Sequence, residues 1–208
     1  FPQTQLGADM DGADAGDEFG YSVSMSSDGS RVAIGGPSNI GYGDNEGHVQ
    51  IFEYRNGAWS KLGNSIIGEY EYDYSGMSVS ISSDGSRVAI GAEYGSNQYG
   101  YFTGNVRIFE YSDGIGWKQM GANIYGESVD DEFGYSVSMS SNGSKVAIGA
   151  PYNDDNGDES GHVRVYGSLG SDQNKPPAAF EWVSSALDTI NITKTNLTDT
   201  YVLKWSES

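Results

Sequence analysis

The sequence predicts an all-β fold built from three copies of one four-stranded antiparallel unit. Three observations carry that expectation: a strand-like block returns at a nearly fixed period, short apolar alternations fill each copy, and Gly-rich turn signals separate them. The anchor is Arg31-Val32-Ala33-Ile34-Gly35, which recurs as Arg87-Val88-Ala89-Ile90-Gly91 and as Lys145-Val146-Ala147-Ile148-Gly149. Successive anchors lie 56 and 58 residues apart.

Taken in order, the first strand of each copy is Ser22 to Ser26, Ser78 to Ser82 and Ser136 to Ser140. Val23 and Met25 alternate there with serines, the period of a half-buried strand. Asp28-Gly29, Asp84-Gly85 and Asn142-Gly143 follow, pairs suited to a type I′ turn because it needs positive φ at both central residues. The Val-Ala-Ile-Gly run is the second strand. A loop rich in Gly, Asn and Tyr leads to the third, His48 to Phe52, Asn105 to Phe109 and His162 to Tyr166. Arg55-Asn56-Gly57 or Ser112-Asp113-Gly114 then turns the chain into a fourth strand, Trp59 to Gly63 or Trp117 to Gly121. Gln3 to Gly7 reads as that same strand without its Trp. A four-stranded antiparallel meander is the unit of a propeller blade; a solenoid, which also stacks repeats, is the second choice.

Phe19-Gly20-Tyr21-Ser22-Val23, a hairpin, then Val32-Ala33-Ile34-Gly35-Gly36-Pro37 resembles an FG-GAP repeat. The third copy is nearest to that pattern, from Phe133-Gly134 to Gly149-Ala150-Pro151. The second departs from it, with Ser75-Gly76 and Gly91-Ala92-Glu93. The resemblance covers residues 1–167. The family is best known from the head domains of integrin α subunits and from secreted proteins of microbes and algae. It implies a propeller used for binding or assembly and no reaction, so the chain is expected not to be an enzyme.

Composition agrees. The 208 residues are 37% hydrophobic with 30 Gly and 15 Tyr, a profile of short strands and tight turns. There is no Cys, hence no disulfide framework and no thiolate metal site. A net charge of −18 repels phosphate backbones and anionic lipid, so nucleic acid and membrane insertion are excluded as partners. No apolar run approaches a membrane span. The chain begins at Phe1, as one relieved of a signal peptide or cut from a longer chain would.

The candidate sites are few. The first hairpins offer at most one carboxylate each, too few for calcium, which needs six to eight oxygens. Asp154, Asp155, Asp158 and Glu159 crowd one loop, and Asp9, Asp11, Asp14, Asp17 and Glu18 another, without a defined ligand spacing. No cofactor and no metal site is expected, and the acidic loops leave only calcium open. Asp17, Asp73 and Asp131 hold one place in all three copies, which predicts a structural role, accepting backbone N–H groups where the first strand begins. His48 and His162, matched by Asn105, read as polar caps of the third strand. No triad and no isolated carboxylate pair stands out, so no catalytic residue is assigned. Ligand binding is expected instead from the second copy, where Tyr70, Tyr72 and Tyr74 precede the first strand and Tyr94, Tyr99 and Tyr101 follow the second. Both loops leave the sheet at the same end, forming one aromatic, acidic patch.

Past residue 167 the repeat breaks. Residues 168–177 read as a linker, and 178–208 as a β-rich tail or the start of a further β domain. Asn191 and Asn196 head sequons in a Thr-rich stretch, and Asn142 heads a third. Propellers close with four to eight blades, and three are present; more blades, other copies of the chain, or open stacking would complete them. The reading is a non-catalytic repeat module of a secreted or cell-surface glycoprotein, structural or fibril-forming. The alternative is an adhesion module binding protein or glycan through the aromatic loops.

Overall fold

A computed structural model of the protein describes residues 4–39, 44–96 and 101–167. The linker, the tail, Tyr99, Asn191 and Asn196 lie outside the described residues. Among those described there is no helix, and the strands run antiparallel in three sheets.

In the first sheet β1 (Ser22–Met25), β2 (Arg31–Gly36), β3 (His48–Arg55) and β4 (Ala58–Lys61) pair in sequence order. A short β5 (Ile66–Ile67) returns to the start of β3, with His48 opposite Ile67. The second sheet repeats this with β6 (Ser78–Ile81), β7 (Arg87–Ala92), β8 (Asn105–Ser112), β9 (Gly116–Gln119) and β10 (Ile124–Tyr125). The expected fourth strand is thus two pieces. Leu62-Gly63 and Met120-Gly121 break it, Gly63 and Gly121 both taking positive φ. The third sheet holds β11 (Ser136–Met139), β12 (Lys145–Ala150) and β13 (His162–Gly167). It has three strands among the described residues where four were expected, and the residues after Gly167, where a fourth would follow, lie outside them.

The first turns also differ from the expectation. Gly29 has φ 71° but Asp28 stays out of the left-handed region. Ser26 N–H reaches Arg31 C=O across the loop, so this is a longer connection closed by a left-handed glycine. The type I′ geometry occurs instead between β3 and β4, where Asn56 and Gly57 have φ 54° and 83°.

The sheets stack face to face, and each face is built by position. One core joins Ala33, Val49, Ile51, Leu62 and Ile66 of the first sheet to Val79, Ile81, Val88, Ile90 and Phe109 of the second. The next joins Ala89, Val106 and Ile108 to Phe133, Val146, Ile148 and Ala150. Polar rungs repeat beside them. Ser27 N–H donates to Ser83 C=O (2.9 Å) and Ser83 N–H to Ser141 C=O (2.8 Å). The Ser22 and Ser78 hydroxyls donate to the Gly76 and Gly134 carbonyls, both at 2.7 Å. Arg31 pairs with Glu53 and reaches Gly85 C=O, as Arg87 pairs with Glu110 and reaches Gly143 C=O. Gly35 and Gly91 explain why the second strand ends in glycine: a Cβ there would lie 2.1 Å from the Gly76 or Gly134 oxygen of the next sheet.

Candidate functional site

Each repeat is pinned by a buried aspartate. The Asp17 carboxylate accepts Ala13 and Asp14 N–H groups, Asp73 those of Glu69 and Tyr70, and Asp131 that of Ser128. The remaining capacity goes to the loop after the second strand: Asn39 donates to Asp17, Asn153 to Asp131, and the Ser96 N–H to Asp73. These aspartates have the structural role read from their repetition. The Asn39 and Asn153 partners went unnoticed, although the pair stands at one place in two copies.

Beside Asp73 the loops of the second repeat form a groove of about 440 Å³ lined by Tyr72, Tyr74, Tyr94, Phe102 and Asp130. The Tyr74 and Tyr94 rings meet edge to face at 5.7 Å. The Tyr72 hydroxyl donates to Asp44 (3.1 Å), which raises its pKa, and Tyr94 donates to Glu132 (3.4 Å). Three of the six tyrosines singled out from sequence therefore converge. Tyr70 and Tyr101 are exposed but do not line the groove, and Tyr99 is outside the described residues. Asp130 comes from the third repeat and had no sequence signal, because only stacking brings it there. Tyr72 and Tyr74 have φ 65° and 52°; Asp130 and Glu132 repeat these values one repeat on, at 66° and 53°. The left-handed backbone is therefore a feature of the repeat and not particular to the groove.

Next to the groove Glu93 stands where the other copies have Pro37 and Pro151. It is 4% exposed, and its Oε2 has no hydrogen-bond partner. Burial, with Glu132 nearby, pushes its carboxyl up to about 7. The hairpin aspartates behave oppositely. Hydrogen bonds from the Ser30 backbone and from the Ser26 and Ser30 hydroxyls hold Asp28 down to about 2, and Ser82 and Ser86 lower Asp84 in the same way. Those carboxylates are occupied as turn acceptors. Asn142 does the same work at the third hairpin, with its Oδ1 accepting from Ser140 and Ser144.

Among the described residues one group, Glu127, Asp155 and His162, brings three potential metal-ligand atoms within 4.8 Å of one another. The Arg164 guanidinium sits on the Glu127 carboxylate, so a cation would have to displace it. His48 is buried, stacked on Phe19 at 5.8 Å, and its pKa is lowered by burial.

Three stacked antiparallel sheets with these repeated contacts define a β-propeller-type module. Residues 126–166 match the family model described as an FG-GAP repeat. The chain thus carries a repeat of the FG-GAP family, on the copy nearest the family pattern. No curated protein matches the chain. Among solved structures it is similar to a candidate 6-phosphogluconolactonase from Bacteroides uniformis, with 14% identity, TM-score 0.45 and 70% of this chain covered. It is likewise similar to the periplasmic gluconolactonase of Pseudomonas aeruginosa (14%, 0.46, 70%) and to Kuenenia stuttgartiensis hydrazine synthase (19%, 0.42, 62%). The chain spans 35%, 38% and 36% of those three chains. The expectation that the chain is not an enzyme is corrected here. Two of these solved structures are described as lactonases. At such identities and scores no activity carries over.

Proposed function

We propose that the chain is an assembly module of a secreted or cell-surface glycoprotein, which joins further propeller blades through its two end sheets. One observation carries this reading: the stacking faces continue past both ends. Val49, Ile51 and Val106 are fully buried between sheets, yet their counterparts Val163 and Val165 are 69% and 67% exposed. At the other end Val23 and Met25 are 64% and 56% exposed, whereas Val79 and Ile81 are buried. Apolar residues that are core in one copy and bare in the next form a patch a monomer rarely leaves open. Sedimentation velocity of the 208-residue chain tests it. Concentration-dependent association is expected, abolished by Val163→Asp with Val165→Asp. A monomer at all concentrations would contradict the reading.

The groove lined by Tyr72, Tyr74, Tyr94 and Phe102 favours a second reading, adhesion to protein or glycan, since exposed tyrosines give large contact area at low entropic cost. Tyr94→Ala should then weaken capture on a glycan or peptide array at least tenfold without changing the melting temperature by more than about 3 °C.

A further inference from the structure

The first residues of the described chain behave as part of a sheet that is not their own. In the second repeat the Trp117 indole donates to Leu62 C=O (2.8 Å), and Leu62 directly follows β4, the fourth strand of the preceding sheet. In the first repeat the Trp59 indole donates to Leu6 C=O (2.9 Å). Gly7 and Gly63 have φ 77° and 76°, and a Cβ on either would lie about 3 Å from the Cδ1 of its Trp. Leu6-Gly7 thus occupies, ahead of the first sheet, the place Leu62-Gly63 occupies ahead of the second. It is not itself in a strand, but it is seated against the first blade as the segment after a fourth strand would be, with no three strands of its own among the described residues. Leu62 is 8% exposed in the core between two sheets; Leu6 is 60% exposed.

At the opposite end the described residues lack what this segment supplies. Among the described residues the third sheet ends at β13, whereas Leu62 N–H donates to Ile51 C=O and Met120 N–H to Ile108 C=O, both at 2.7 Å. The corresponding acceptor on β13 is Val165 C=O. Trp59 and Trp117 follow the start of β3 and β8 by 11 and 12 residues, and the same spacing from His162 reaches Gln173 and Asn174, so the Trp of the fourth strand has no counterpart in the sequence there.

Gly149 supplies an independent mark. Gly35 and Gly91 are required by a carbonyl of the next sheet, but among the described residues a Cβ on Gly149 would meet only atoms of Ser136. A residue shaped for close approach has no approaching backbone among the described residues. The counterpart of Gly76 and Gly134 is Gly20, at the open face of the first sheet, and a Cβ there would meet nothing within 4 Å.

We propose that two copies of the chain dock end to end, the third sheet of one against the first sheet of the other, and that the incoming copy's Thr4–Gly7 segment completes the third sheet as its fourth strand. This rests on the assembly reading and adds the occupant and the register. Leu6 N–H then donates to Val165 C=O of the other copy. Gly20 C=O lies over Gly149 and accepts the Ser136 hydroxyl, and Ser141 N–H donates to Ser27 C=O. Leu6, Val23 and Met25 of one copy and Val163 and Val165 of the other become buried together. Each rung repeats one already present between adjacent sheets.

The absence of any native cysteine makes the register directly testable. Residues directly opposite on antiparallel strands have Cβ atoms about 4.5–5.5 Å apart, near the reach of a disulfide. Leu6→Cys and Val165→Cys chains are made separately, both at exposed positions, and oxidised alone and mixed. The expected result is a disulfide-linked heterodimer in the mixture at least tenfold above either homodimer. Sedimentation of the wild-type chain is the second arm. Association without the mixed crosslink would overturn strand donation and leave the assembly reading standing. No association would overturn both. A chain whose Val165→Cys amide and side chain are protected in dilute monomer would also overturn the proposal, by showing that the chain's own continuation fills the edge.

Discussion

Replacing Glu93 by proline, the residue of the other two copies, should stabilise the chain at pH 8 and do much less at pH 5. Glu93 is buried with one oxygen unpartnered, and its carboxyl rises from 4.5 to about 7 on folding. The folded state therefore holds a proton that the unfolded state has lost between those values. Stability falls as pH rises through that window, and below 4.5 the group is neutral in both states and costs nothing. At about 1.4 kcal/mol per pKa unit, the charge destabilises the wild type by about 3 kcal/mol at pH 8 and by less than about 1 kcal/mol at pH 5. Proline adds about 0.4–1 kcal/mol at every pH by restricting the unfolded chain. Glu93→Gln isolates the charge, since it keeps the shape and lacks the titration. Urea unfolding at both pH values measures the difference. If wild type and Glu93→Gln differed equally at pH 5 and pH 8, the carboxylate would not be desolvated and the reasoning would fail.

Trp117→Phe removes an indole donor while keeping most of the ring, and should cost about 1–2 kcal/mol through the bond to Leu62; a shift in denaturant midpoint at constant slope measures it. Asp131→Ala strands the Ser128 N–H and the buried Asn153 amide, and should cost about 2–4 kcal/mol, with Asp131→Asn recovering part because one acceptor oxygen remains; thermal melts at pH 7 give the comparison.

The repeat made most of the fold legible. Val32, Val88 and Val146 set the copies in register, and the period of two in Ser78 to Ser82 matches the buried Val79 and Ile81, whereas the same alternation in Ser22 to Ser26 leaves Val23 and Met25 exposed. The interruption of the fourth strand at Leu62-Gly63 was not legible, since a left-handed glycine beside a strand reads the same as a strand end. The first turns were misread because Asp-Gly serves several hairpins, and the serine hydroxyls that hold Asp28 decide among them. Asp17, Asp73 and Asp131 were found because repetition is itself a signal. Asn39 and Asn153 carry the same signal and were passed over as loop composition. Asp130 could not be found, because a contact between repeats leaves no trace in the spacing of either one. Glu93 was visible only as a departure from Gly-Ala-Pro, and its burial depends on the sheet packed against it.

The central claim, that the inter-sheet contacts continue past the open face of the third sheet, is tested most directly at two equivalent backbone amides. Ser83 N–H donates to Ser141 C=O within the chain, while Ser141 N–H has no partner among the described residues. Hydrogen exchange of both, followed by NMR in dilute and in concentrated protein, separates the alternatives. The account predicts Ser83 slow at both concentrations and Ser141 fast when dilute but slow when concentrated. Ser141 exchanging fast at every concentration would contradict it.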